Sequence, residues 1–364
     1  MKIKEIAAFL ESIAPLSFQE SYDNCGLLVG NEENQVRKAL ITLDCTEAVV
    51  EEAIRENCDL IIAHHPIIFS GLKKLNGKNY VERTVISAIK NNIAIYAIHT
   101  NYDNVWNGVN AKIAERLGLT ETKILVPKSG LLKKLQTYIP VENYDSVSGA
   151  VFAAGAGQMG NYSETAFRSE GTGQYRGNSN SHPAIGKAGA LEKTPESKFE
   201  TIFPAHLESA VVKALLNSHP YEEVAYDLIP VSNAYAQMGS GMIGKLPRPL
   251  PGMEFLKMVK GAFQTGCVRH TAVLEKPVET VAICGGSGNF LLSAAKAQGA
   301  DALVTADFKY HEFFDAENRI LIADVGHFES EQFTRQLLYQ HLTEKFPTFA
   351  LHLSETNTNP VNYL

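Results

Sequence analysis

Residues 58–69 read CDLIIAHHPIIF. CDLIIA at 58–63 is a short, unbroken apolar run of the kind that forms a strand buried on both faces. It ends in His64 and His65, and then in Pro66. Within a strand, adjacent side chains point to opposite faces. Where the chain turns into Pro66 that alternation relaxes, and both imidazoles can reach one crevice. In open α/β sheets, ligands bind at the carboxyl ends of the strands. The alternative is a pair of histidines on an exposed loop.

The flanking segments supply the α/β context. RKALITL (37–43) and IAIYAI (93–98) are strand-like. TEAVVEEAIRE (46–56) has helical apolar spacing, with Thr46 placed to cap it, and VERTVISAIKN (81–91) reads as a second helix. Residues 105–117 read as a third helix, closed by Gly118. This alternation is βαβ logic and predicts an α/β layered fold. From about residue 278 the rhythm repeats. Strand-like 279–284, the loop Gly285-Gly286-Ser287-Gly288, a helix at 289–298, strands at 301–305 and 319–325, and a helix at 329–345 follow in turn. The expectation is two related α/β halves forming one layered domain.

The middle of the chain differs. Residues 149–189 hold nine glycines with few large apolar side chains, so this stretch is expected to be loop-rich. Strand-like 134–140, helix-like 205–217 and strand-like 221–230 flank it. The order predicts an inserted ferredoxin-like α+β domain at 131–234, between domain halves at 1–130 and 235–364.

Composition narrows the function. The chain has 364 residues, 45% hydrophobic and 20% charged, with a net charge of −7. That balance argues against tracking a nucleic-acid backbone, which wants clustered positive charge. No apolar run approaches the about 20 residues that span a bilayer. MKIKEIAAFLESIAPLSFQ at the start reads as an amphipathic helix, not a secretory signal. A cytoplasmic protein is expected. Five cysteines without a CxxC pair argue against a disulfide framework or a thiolate zinc site.

Two further clusters sit, like His64-His65, just after apolar strands. One is His99-Thr100-Asn101-Tyr102-Asp103 and the other His327-Phe328-Glu329-Ser330-Glu331. Each sets a histidine four residues before a carboxylate, a spacing that shares a face once a helix begins. Singly, each reads as a helix cap beside a solvated histidine. Three such clusters at strand ends converge if the strands are neighbours in one sheet. Imidazole and carboxylate without thiolate suit zinc, manganese, iron or nickel. Two to three histidines with two carboxylates suffice for two ions about 3.5–4 Å apart, because a carboxylate can bridge.

Weaker candidates remain. Thr305-Ala306-Asp307-Phe308-Lys309-Tyr310-His311 follows a strand; it supplies a partner behind the ligands or only a cap and a packed histidine. The Gly285–Gly288 loop is an anion cradle or a packing turn. Residues 21–26 (SYDNCG) line the cleft or make a turn. His182, His206, His219, His270, His341 and His352 have no partnered spacing and read as structural or exposed.

SYDNCGLLVG (21–30), LIIAHHPIIF (60–69), IHTNYDN (98–104), GGSGN (285–289), TADFKYH (305–311) and GHFESE (326–331), in this order, resemble a known family. It comprises dinuclear-metal hexameric proteins, often labelled GTP cyclohydrolase 1 type 2 homolog and related to a eukaryotic NGG-interacting factor. The resemblance implies ligands at His64, His65, Asp103, His327 and Glu331, with His99 and His311 near the site. It implies two divalent cations per chain, zinc first among zinc, iron, manganese and nickel. It implies a ring-shaped homohexamer, a trimer of dimers, and a PII/CutA-like identity for the insert. Tyr22 stands where many members have Trp, and Ala306 where Gly is common.

Two functions follow. One is a metal-dependent hydrolase acting on a small molecule, a nucleotide or phosphoester. The other is a non-enzymatic, metal-stabilised regulatory or interaction protein whose insert senses a ligand. A site that opens on a cavity favours the first. Nucleic-acid handling around the ring's hole, with Lys73, Lys74 and Lys78 near the histidine pair, is disfavoured by the net charge.

Overall fold

A computed structural model describes all of residues 1–364. The chain divides into two compact units, Met1–Pro127 with Gln237–Leu364, and Lys128–Ala236. No helix is long and apolar enough to cross a membrane.

The first unit holds two sheets. One is built from β1 (Gly26–Val29), β2 (Lys38–Thr42), β3 (Leu60–Ala63), β4 (Ala94–Ala97) and β15 (Ala350–Leu353), in the order β1-β4-β3-β2-β15. β15, β2, β3 and β4 run parallel, and β1 is antiparallel at the edge. The other contains β5 (Thr120–Ser129), β10 (Ala234–Leu250), β11 (Arg269–His270), β12 (Val278–Ser287), β13 (Ala302–Ala306) and β14 (Leu321–Asp324), in the order β11-β14-β13-β12-β10-β5. β12, β13 and β14 are parallel, as β2, β3 and β4 are in the first sheet.

Parallel strands are apolar throughout because helices cover them. Every residue of β3, β4, β13 and β14 is buried. The helices Glu47–Arg55 and Tyr80–Lys90 bring Val49, Val50, Ala53 and Val85 onto Leu40, Ile61 and Ile95. Thr46 and Asn79 start these helices by accepting hydrogen bonds from the N–H groups of Val49 and Glu82. Fully burying each such aliphatic side chain contributes about 1.5–3 kcal/mol, so the parallel cores anchor the strand ends that carry the polar clusters.

Two expected helices are shorter than their pattern. The segment 105–117 is helical only from Val109, because Thr100–Asp103 forms a separate turn. Gly108 between them backs onto Tyr102, where a Cβ would lie 1.8 Å from the carbonyl oxygen. The segment 329–345 is two helices, His327–Glu331 and Thr334–Lys345.

The second unit contains β6 (Leu132–Pro140), β7 (Ala166–Arg176), β8 (Leu191–Pro204) and β9 (Tyr226–Val231), in the antiparallel order β7-β8-β6-β9. The helices Tyr144–Ala153 and Glu208–Ser218 pack Val147, Val151, Val211 and Leu215 onto Leu135, Ile139, Phe199 and Phe203. The element order is β-α-β-β-α-β. The glycine-rich stretch is not all loop, because residues 166–176 pair with 201–191 as β7. Backbone pairing, not burial, makes that strand, and its side chains are nearly all exposed.

Candidate metal centre

Polar residues follow five parallel strands of the first unit. Asp44 follows β2, His64 and His65 follow β3, His99 and Asp103 follow β4, Asp307 follows β13, and His327 and Glu331 follow β14. The turn after β3 is held by backbone: His64 N–H donates to the Thr42 carbonyl (3.2 Å) and His65 N–H to that of Leu43 (2.9 Å). Buried Asn110 ties the two halves together. It donates to the Asp103 carbonyl and accepts from Gly285 N–H, each at 3.0 Å.

Four imidazoles meet here, with ring centroids 4.9–5.3 Å apart for neighbouring pairs. Each is gripped at Nδ1. His64 donates to the Ile98 carbonyl at 2.7 Å, His65 to Asp44 at 2.7 Å, His99 to Asp23 at 2.8 Å and His327 to Asp307 at 2.6 Å. Each grip leaves Nε2 for the centre. The Nε2 atoms of His65 and His327 lie 2.9 and 3.1 Å from Glu331 Oε2. His64 Nε2 lies 3.5 Å from Asp103 Oδ1, and both atoms are buried without a hydrogen-bond partner. Three triads form with ligand atoms within 4.8 Å of one another: His64-His65-His99, His65-His327-Glu331 and His64-Asp103-Glu331.

Such an arrangement fits a cation. Imidazoles held at one nitrogen by a carboxylate or carbonyl, with the other free, are how proteins present metal ligands. A buried lone pair and a buried carboxylate oxygen with no donor each carry a desolvation cost unless a cation meets them. The electrostatics agree. Burial drives His64 down to about 3, so its imidazole is neutral. Burial lowers His65 as well, but Asp44 and Glu331 outweigh it and hold His65 near 9. The Glu331 charge, against burial and with help from Asp307, lifts His327 to about 11. Burial and the Glu331 charge push Asp103 well above the carboxylate range.

The centre opens on a cavity of about 460 Å³ whose lining includes His65, His99, Asp103, His327 and Glu331. Tyr22, Phe69 and Phe290 stand at it with 64%, 51% and 64% exposure, and the Tyr22 and Phe69 rings are 6.2 Å apart. No lysine or arginine lines this cavity. A second space of about 490 Å³ shares Asp44, His65 and His327 and adds Arg269 and the tail residues Asn359 and Tyr363.

All five residues expected as ligands, His64, His65, Asp103, His327 and Glu331, come together, with His99 as a sixth candidate, but across two sheets and not along one, since β3 and β4 lie in the first sheet and β14 in the second. His311 does not join them; it is exposed and packs on Tyr310 and Phe314. Gly286 makes a close-packed turn at φ +58°, where a Cβ would sit 2.5 Å from Glu331 Oε1. From the 21–26 stretch Tyr22 lines the cavity and Asp23 holds His99, whereas Asp44 is not named in the sequence reading. Asp44 had a signal, since it ends a strand as the histidines do.

Residues 1–360 match the Duf34/NIF3 (NGG1p interacting factor 3) family. A Bacillus subtilis protein named GTP cyclohydrolase 1 type 2 homolog is 39% identical over 99% of this chain and 98% of its own length. A Staphylococcus epidermidis protein of the same name is 35% identical over the whole of both chains. A crystal structure of a Bacillus cereus protein related to NIF3 is 38% identical, with a TM-score of 0.87 over 100% of this chain and 99% of that one. A Staphylococcus aureus protein of 30% identity superposes with a TM-score of 0.79 over the same shares.

Proposed function

The chain belongs to the Duf34/NIF3 family, and on that premise we propose that it is a hydrolase dependent on two divalent cations, with zinc first among the ions that imidazole and carboxylate accept. The observation that carries this reading is the unpartnered pair of buried atoms, His64 Nε2 and Asp103 Oδ1. His64, Asp103 and Glu331 would hold one cation, and His65, His327 and Glu331 the other, Glu331 being common to both triads. Cations bound there would supply Lewis acidity and make a water acidic enough to attack at neutral pH.

The protein's own groups do the rest. Asp44 and Asp307 fix the tautomer and aim of His65 and His327. His99 keeps its proton on Nδ1 against Asp23. Burial raises Asp23, but His99 and Thr100 outweigh it and hold that carboxylate well below its usual range. The His99 ring, held at Nδ1, lines the cavity. Tyr22 and Phe69 offer aromatic faces, tilted by 43° to each other, to a substrate ring. No basic side chain lines the cavity, so the positive charge that meets an anionic ester there would be that of the cations themselves. The cavity reaching the ligands favours this reading over a purely structural or regulatory role for the cations.

The rest of the reading is a ring-shaped homohexamer built as three dimers, a cytoplasmic location and a PII/CutA-like identity for the second unit. The β-α-β-β-α-β order of that unit supports the last of these. Metal analysis tests the centre. Wild type is expected to hold two ions per chain, and Asp103→Ala and Glu331→Ala fewer. Hydrolysis of aryl phosphodiesters and nucleotides should track that content; equal metal content in all three proteins overturns the proposal.

A further inference from the structure

One cavity is lined wholly by residues of the second unit. It measures about 760 Å³, inside the range of small-molecule sites. Its floor is the face of the sheet opposite the helices. Leu135, Ile139, Phe199 and Phe203 point to the helical side, so their strand neighbours Tyr138, Glu196 and Lys198 point to the cavity. On β7 the register sets Gly171 opposite Glu196 and Gly173 opposite Thr194. The missing side chains leave a trough, and the Glu196 carboxylate lies in it. A Cβ on residue 173 would fall 1.9 Å from Glu196 Oε2.

Glu196 is only 7% exposed. Its Oε1 accepts one hydrogen bond, from the Tyr221 hydroxyl at 2.7 Å. No lysine or arginine pairs with it. The nearby Lys198 is already spent on Glu200, at 3.3 Å. A buried carboxylate with one neutral donor and no counter-charge is costly unless a cation completes it.

The surroundings are preorganised. His219 is a neutral clamp: its Nε2 donates to the Tyr138 carbonyl at 3.0 Å, and its Nδ1 accepts from Tyr221 N–H at 3.2 Å. That fixes Tyr221, whose ring lies 5.7 Å from that of Tyr175. The Tyr175 hydroxyl donates to the Ile185 carbonyl at 2.7 Å and so holds the 177–190 loop over the cavity. Three tyrosine rings, Tyr138, Tyr175 and Tyr221, therefore line a space whose charged residues are four carboxylates and only two cations. Aromatic faces beside a desolvated carboxylate are the chemistry that holds ammonium and guanidinium groups. A metal ion would want more oxygen ligands than one buried carboxylate supplies.

We propose that this cavity binds a small organic cation, with an ammonium or guanidinium head seated on Glu196 and its stem against Tyr175 and Tyr221. The proposal is independent of the metal centre. Titration calorimetry of the full chain with agmatine tests it, with ATP as the anionic comparison. Saturable agmatine binding is expected, weakened at least about tenfold in Glu196→Gln and in Gly173→Ala, whose added methyl displaces the carboxylate. ATP should not compete. Tyr221→Phe removes only the hydroxyl that donates to Glu196, and should weaken binding while circular dichroism shows the chain still folded. Failure of agmatine to bind, equal binding by Glu196→Gln and Tyr221→Phe, or displacement of agmatine by ATP overturns the assignment.

Discussion

Glu52→Gln should loosen the first unit in a way that depends on pH. Glu52 lies on the helix Glu47–Arg55 and is 1% exposed. It gathers the chain that follows β15. Its carboxylate accepts from Ser354 Oγ and Thr356 Oγ1 at 2.6 Å, from Glu355 N–H at 2.7 Å and from His352 Nε2 at 3.0 Å. Burial alone would raise its pKa, but the hydrogen bonds from Ser354 and Thr356 outweigh burial and bring it from 4.5 to about 2. That fall from 4.5 to about 2 is worth about 3 kcal/mol. Because the folded value lies below the unfolded one, this stability is present above the unfolded pKa and is lost as pH falls toward the folded one. At pH 3 about 1 kcal/mol should remain. The chain has one tryptophan, Trp106, in the first unit, so its fluorescence reports that unit's unfolding in urea. The gap between wild type and Glu52→Gln should be about 3 kcal/mol at pH 7 and shrink toward pH 3. A gap that is the same at both pH values, or near zero at pH 7, would refute the reasoning.

Three further outcomes concern the centre. Asp307→Asn, which leaves His327 without its carboxylate, should lower metal affinity about 10–100-fold in a chelator competition. Gly286→Ala should drive Glu331 from its place and cut metal content, since the new methyl would lie 2.5 Å from Oε1 on a backbone at φ +58°. Metal loading at pH 7 should release protons into a weakly buffered solution. His65, near 9, and His327, near 11, carry protons in the metal-free chain and must give them up. Apparent affinity therefore rises with pH through that range, and loading without proton release would contradict the ligand assignment.

The strand ends were legible because two physical signals coincide there. Buried parallel strands are unbroken apolar runs, as β3, β4, β13 and β14 are, and the polar residues that end them stand out. The histidine and carboxylate clusters could be read for that reason. Asp44 was not, and Asp23 only as part of the 21–26 stretch, because a carboxylate that orients an imidazole through a contact distant in sequence leaves no period. His99 Nδ1 finds Asp23 across 76 positions, and His65 Nδ1 finds Asp44 across 21. His311 shows the converse: its spacing after β13 looks like that of a ligand, but the 3₁₀ turn Tyr310–Ala316 carries it outward. β7 was missed because glycine and polar composition signals a loop, whereas its eleven paired positions on β8 depend on backbone alone. The break between His327–Glu331 and Thr334–Lys345 also left no mark, because helical spacing continues across it.

Anomalous diffraction from crystals of the zinc-loaded protein tests the central claim most directly. Two peaks are predicted, one against His64 Nε2 and Asp103 Oδ1 and one against the Nε2 atoms of His65 and His327, with Glu331 reaching both. A single peak, or peaks away from these atoms, would contradict a two-cation centre assembled from both halves of the chain.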